Sequence, residues 1–260
     1  MSNSSLVDYT LISPHKSSRN GTKIDTITIH CVAAQAAVET IGKLFQTKEA
    51  SSNYGIGSDG RVGMYVEEKD RSWASSDGNN DRRAVTIEVA SDNTHPYAVN
   101  DKAYAVLIDL VTDICLRNDI YPLKWSTDKN ERVNHLDGCN MTVHRDYANK
   151  SCPGDYLYNL HSQIAAEVNE RLEEENMVRY KTINEIPKWY QEETKELIEL
   201  GFNGKGGDLG LDVTEDMLRT MIINLRMCKA LIAAIPEGSV DKDALFEEFK
   251  KNLKLTISVE

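Results

Sequence analysis

Six histidines and five cysteines are scattered along the 260 residues, and three of them stand where a strand end or a sharp turn would hold them. His30 closes the β-branched run IDTITIHCV (24–32), and His144 follows the apolar string MTV. Cys152 comes eight residues later, directly before Pro153-Gly154. One thiolate and two imidazoles make a good zinc donor set, and three protein ligands leave the fourth position for water. Such an open site is the catalytic kind, because zinc brings the pKa of its bound water to about 7. Spacing alone leaves another reading open, with Cys152 a small buried hydrophobe and His144 a loop hydrogen-bonding group. Glu88 is the single acid in AVTIEVA (84–90). An apolar strand would desolvate it and raise its pKa toward the range of a general base; on an edge strand it would simply face solvent.

The remaining candidates read as less chemical. His135 and Cys139 fall in a loop, His95 precedes Pro96 in another, and His161 reads as a helix-surface residue. Cys31 neighbours His30, so on a strand it points to the opposite face, into the core. Trp73 would line a groove or pack inside.

These residues need a scaffold. Residues 24–32 and 84–90 read as strands, and 54–66 as a hairpin turning at Ser58-Asp59-Gly60. Residues 38–46 carry a helical pattern, and 101–117 have strong 3.6 periodicity after Asn100, a good N-cap. Asp155 would cap a helix running to about residue 175. A charged stretch then leads to a linker near 177–186. Beyond it, helices are expected over 188–200, 214–234 and 241–253, with the glycine-rich turn 201–212 between the first two. The expected fold is α/β: a central mixed β-sheet flanked by helices in residues 1–178, with a small all-α C-terminal domain in 179–260.

Composition narrows the function. Lys and Arg number 30 against 41 Asp and Glu, a net charge of −11. A nucleic-acid binder needs a basic face to displace counterions, so no nucleic-acid partner is expected. No apolar run approaches the ~20 residues that span a bilayer, so no membrane insertion is expected either. The five cysteines are odd in number and irregular in spacing, unlike a disulfide framework. The first residues lack the apolar core of a signal peptide, which implies a product made in the cytoplasm.

Four strings, taken together, resemble the zinc-dependent N-acetylmuramoyl-L-alanine amidases of the phage-lysozyme and peptidoglycan-recognition-protein type, the amidase-2 family. They are KIDTITIHCVA (23–33), SSNYGIGSDGRV (51–62), AVTIEVASD (84–92) and TVHRDYANKSCPG (142–154), in the family's order. They look most like endolysins and prophage amidases. The resemblance implies Zn2+ held by His30, His144 and Cys152, and peptidoglycan as substrate. It implies that Lys150 stabilises the oxyanion and that Tyr54 stands at the site rim. Glu88 matches an acid that several branches use as general base and some phage members lack, so Glu88 and Tyr54 compete to assist the water. A phage-type lysin would act on the cell wall after release. The rival reading is a non-catalytic peptidoglycan receptor on the same fold; such receptors commonly lose the third ligand, here Cys152.

The tail lies outside this resemblance. Trp189, Leu197, Ile198 and Leu200 form one apolar stripe, and Met217, Leu218, Met221, Ile222, Leu225 and Leu231 another. The helix, glycine-rich loop, helix order loosely resembles S-layer-homology-type modules. That implies wall binding or homo-oligomer formation through the tail, or else a hairpin that only caps the catalytic domain.

Overall fold

The computed structural model describes residues 3–176, 179–202, 211–236, 241, 242, 244–246 and 248. The chain divides into two compact units, Met1–Glu175 and Asn176–Glu260. The first is built on a six-stranded mixed sheet of order β1-β5-β4-β7-β3-β8. Its strands are β1 (Tyr9–Thr10), β3 (Thr26–Cys31), β4 (Tyr54–Ile56), β5 (Val62–Met64), β7 (Ala84–Val89) and β8 (Met141–Thr142). β4 and β5 form the antiparallel hairpin, with Gly60 at φ +84° in its turn. β3 lies between β7 and β8 and is parallel to both. A second pair, β2 (Lys16–Ser18) and β6 (Asp70–Ser72), is antiparallel.

Period-two alternation in β3 and β7 gives the sheet two unlike faces. Ile27, Ile29, Val85, Ile87 and Val89 are fully buried in the main core. They share it with α3 (Asp101–Asn118) and α5 (Gly154–Asn176), through residues such as Leu107, Val111, Leu157 and Ile164. Each such side chain stabilises the fold by about 1.5–3 kcal/mol, so this face anchors the sheet. The residues of opposite parity are Thr26, Thr28 and His30 on β3, and Ala84, Thr86 and Glu88 on β7. That second face is buried but polar. α1 (Val38–Thr47) buries Val38, Ile41 and Phe45, and its Phe45 and Ile41 cluster with Tyr65.

The helix boundaries follow from caps. Asn100 accepts from the Ala103 N–H at 2.9 Å and starts α3, which ends at Asp119 in the left-handed region. Two short helices escaped the sequence reading, α2 (Gly78–Arg83) and α4 (Lys129–Asn134); Asp77 and Asp128 cap them. Asp155 does not cap α5. It lies inside the first turn, and its carboxylate is taken by Arg145 and His95.

The second unit has its own core of Tyr180, Ile186, Leu197, Leu200, Phe202, Val213, Leu218, Ile222 and Leu225. It contains α6 (Gln191–Glu199) and α7 (Glu215–Ala233), the latter capped by Thr214. A two-residue antiparallel pair, β9 (Arg179–Tyr180) with β10 (Val213–Thr214), joins the helices. Residues 179–186 are therefore not a linker: Tyr180 and Ile186 are buried in this core. Trp189 and Leu231, members of the two expected apolar stripes, are 71% and 67% exposed. The glycine-rich turn and the expected helix 241–253 fall largely outside the described residues. No described helix is long and apolar enough to cross a membrane.

Candidate metal centre

β3 delivers His30 at its C-terminal end. The chain leaving β8 turns at His144–Asp146, and the loop after it brings Cys152 to the start of α5. One donor atom from each of His30, His144 and Cys152 lies within 4.8 Å of the others. Cys152 Sγ is 3.3 Å from His30 Nδ1, and the two imidazole rings sit 5.3 Å apart at 63°. His144 Nε2 is 3.1 Å from Ser76 Oγ, which leaves Nδ1 as its other donor.

The electrostatics suit a cation. Burial, helped by His144, brings the His30 pKa down to about 3. Burial and then the Lys150 charge lower that of His144. Both rings are thus neutral at ordinary pH, the form that binds metal. A hydrogen bond with Cys31 and burial push the Cys152 thiol well up; a bound divalent cation reverses that and deprotonates a coordinating thiol. His30 Nε2 and Glu88 Oε2 are buried without a hydrogen-bond partner in the structure. Orphaned buried polar atoms are costly unless a ligand or water meets them. Two neutral imidazoles and one thiol are a donor set that fits a soft-to-borderline divalent ion.

Glu88 pairs with His30 in register on the adjacent central strand, so both project from the polar face. Burial, then the nearby Cys31, pushes its pKa up to about 8. It is not an edge-strand acid. Lys150 and His144 line one groove of about 440 Å³, together with Trp73, Arg71 and Glu49. Trp73 therefore lines a groove.

Tyr54 departs from expectation. In the row across the sheet, His30 stands beside Glu88 and Glu88 beside Gly55. Tyr54 has the other parity and points into the apolar core, where it is fully buried. Its hydroxyl donates to Glu68 Oε1 at 2.7 Å and accepts from the Ser4 N–H at 2.9 Å. It holds the fold and is not at the rim. His161 is not on the helix surface: it is fully buried against Trp125, 4.4 Å between rings. Cys31 packs partly against the core, yet its thiol reaches the Cys152 thiol. His135 closes α4, with Nδ1 3.1 Å from the Cys139 carbonyl, and belongs to no described metal cluster.

Three supports were not visible in advance. Ser76 orients His144. Asn80, 3% exposed, ties β3, which carries His30, to β8, which leads into the turn of His144. Its amide donates to Thr28 Oγ1 at 3.1 Å and accepts from Thr142 Oγ1 at 2.9 Å and Tyr147 Oη at 3.1 Å. Thr28 and Thr142 each lie two residues before a histidine of the cluster. Arg132 grips Asp146 with two bonds of 2.7 Å, both side chains 2% exposed, and so fixes the turn that carries His144.

The mixed sheet thus carries a three-donor cluster reached from β3 and from the turn after β8, with a buried carboxyl beside it and a lysine in the adjoining groove. The family model of N-acetylmuramoyl-L-alanine amidases, Amidase_2, matches residues 20–155, more than half of the sequence. The chain belongs to that family and is an N-acetylmuramoyl-L-alanine amidase whose substrate is peptidoglycan. Among solved structures it is similar to a mutant endolysin from Bacillus subtilis, at 16% identity over 62% of this chain and 97% of that one, TM-score 0.45. It is similar to the amidase LysC from Clostridium intestinale URNW, at 17% identity over 63% and 95%, TM-score 0.45. It is similar to the Staphylococcus aureus hydrolase AmiA, at 18% identity over 66% and 84%, TM-score 0.44. No curated protein matches the chain. The family match carries the assignment.

Proposed function

We propose that the chain is a zinc amidase of the phage or prophage endolysin type, cutting the amide between N-acetylmuramic acid and L-alanine. The observation that supports it most is the convergence of His30, His144 and Cys152 within 4.8 Å from three separate segments. Those three residues would hold Zn2+. When bound, zinc polarises an amide carbonyl and makes a water acidic enough to attack it near neutral pH.

The chain's own groups supply the rest. Glu88, poised near neutrality by burial, takes the proton of the attacking water and returns it to the departing alanine amine. A cation nearby draws its pKa down, toward the working range of a general base. Lys150 places a positive charge in the groove beside His144, where the carbonyl oxygen gains negative charge. Ser76 and Asn80 hold the histidine donors, so no reorganisation is needed as charge develops. A non-catalytic receptor would not need all three donors, and their presence favours hydrolysis.

The same reading has the enzyme reach the wall after release from the cell, with residues 179–260 as a separate domain for wall binding or homo-oligomer formation. A chain ending at residue 178 tests that part: it should lose wall binding or change its sedimentation. Equal behaviour of the two chains would remove both roles. The chemistry is tested with Cys152→Ala. The variant should keep its fold, lose its metal and lose lysis; undiminished lysis by it, or by thoroughly chelated enzyme, would refute the zinc reading.

A further inference from the structure

The loop between His144 and Cys152 has a second groove on it, of about 430 Å³. Its lining includes Lys129, Arg145, Asp146, Asn149 and Lys150. Lys150 also lines the groove that holds His144, so the two meet at that residue. The charges here sort unevenly. Asp146 is consumed by Arg132, both oxygens bonded. The Arg145 charge is paired with Asp155, and its terminal nitrogens also reach the Ser151 carbonyl, although its Nε has no partner among the described residues. The side-chain ammonium groups of Lys129 and Lys150 have no hydrogen-bond or ion-pair partner among the described residues. The groove thus keeps two free ammonium groups, on a protein whose net charge is −11. Two uncompensated cations in a polar concavity attract an anion and raise its local concentration.

We propose that Lys129, in the groove that meets the catalytic groove at Lys150, forms a carboxylate subsite that reads a free carboxylate of the stem peptide beyond the scissile amide. The inference rests on the amidase reading of the adjoining cluster. The occupant follows from chemistry. The two grooves meet at Lys150, so a stem peptide that ran on from the scissile bond into the second groove would meet unsatisfied positive charge. Its carboxylates match that charge, and a carboxamide at the same place does not. Lys150 belongs to the proposed catalytic machinery, so the discriminating residue is Lys129. An exposed ion pair of this kind is worth up to about 1 kcal/mol, equal to about a fivefold change in binding.

The test uses the full-length enzyme and two synthetic muramoyl peptides, identical except that the second residue carries a free carboxylate or its carboxamide. Wild-type enzyme should show a KM about fivefold lower for the carboxylate, with similar kcat. Lys129→Gln should raise KM for the carboxylate peptide to that of the carboxamide and leave the carboxamide kinetics unchanged. Added salt should erase the wild-type preference. A Lys43→Gln control on α1 should change neither substrate. If wild type cleaves neither peptide, the amidase reading itself fails. If it cleaves both with equal KM, or Lys129→Gln shifts both alike, the subsite is refuted while the amidase reading stands. An effect of Lys129→Gln confined to whole walls, absent on the soluble peptides, would also refute it and point to a wall phosphate polymer instead.

Discussion

Asp146→Ala removes one half of an ion pair in which both side chains are 2% exposed. Arg132 would lose both carboxylate bonds and keep the Ser126 carbonyl, at 2.8 Å, and the faces of Trp125, at 4.5 Å, and Tyr158, at 5.6 Å. A guanidinium left buried and uncompensated costs about 3–5 kcal/mol. With a urea m-value of about 2 kcal/mol/M, the midpoint should fall by about 2 M. Urea unfolding followed by circular dichroism measures it. The paired change Arg132→Met with Asp146→Leu removes both charges and should recover most of the loss, because replacing a whole buried pair by apolar groups is often neutral. The turn carrying His144 hangs on this pair, so the single variant should also retain less metal after dialysis. A cost below about 1 kcal/mol would show that the pair behaves as a surface one, and a double variant no better than the single would refute the desolvation argument.

Three further outcomes follow from particular contacts. Asn80→Ala deletes two buried hydrogen bonds and one part-buried one, each worth about 1 kcal/mol net; it should lower stability by about 2–3 kcal/mol and weaken metal retention, read by equilibrium dialysis, and unchanged retention would contradict its bridging role. His161 has its pKa lowered from 6.5 to about 4, chiefly by burial. Below pH 6.5 the unfolded chain binds a proton that the folded chain refuses, so His161's contribution is complete above that pH and declines as pH falls toward 4. The loss should reach about 2 kcal/mol by pH 5, and His161→Gln should flatten that part of the stability curve; an unaltered slope would refute it. Gly63→Ala would press a Cβ into the Tyr65 hydroxyl oxygen, closer than real Cβ atoms approach, so it should destabilise by about 1–3 kcal/mol, measured by thermal unfolding.

Much of the scaffold was legible because it rests on local periodicity. The alternation in TITIHC and AVTIEV places His30 and Glu88 on the face opposite the isoleucines, and the Asn100 cap begins α3 as read. The metal cluster was different. His30 and Cys152 are 122 residues apart, and spacing does not say that they meet; the resemblance of four strings supplied that. Tyr54 was misplaced because its face depends on cross-strand register, which no single strand encodes. His161 had a readable signal: Leu157, Ile164, Val168 and Leu172 share its helical stripe, and all are buried. Asn80 and the Arg132–Asp146 pair lie on short helices in loops, where side-chain capping rather than hydrophobic period determines structure, and so left little trace in the pattern.

The central claim is a bond and the enzyme that cuts it. Purified peptidoglycan digested with the full-length protein, then analysed by mass spectrometry, tests it most directly. The account predicts peptides with a free N-terminal L-alanine and glycan strands stripped of peptide, both absent with Cys152→Ala. Intact muropeptides, or cleavage at a glycosidic or an inner peptide bond, would contradict it.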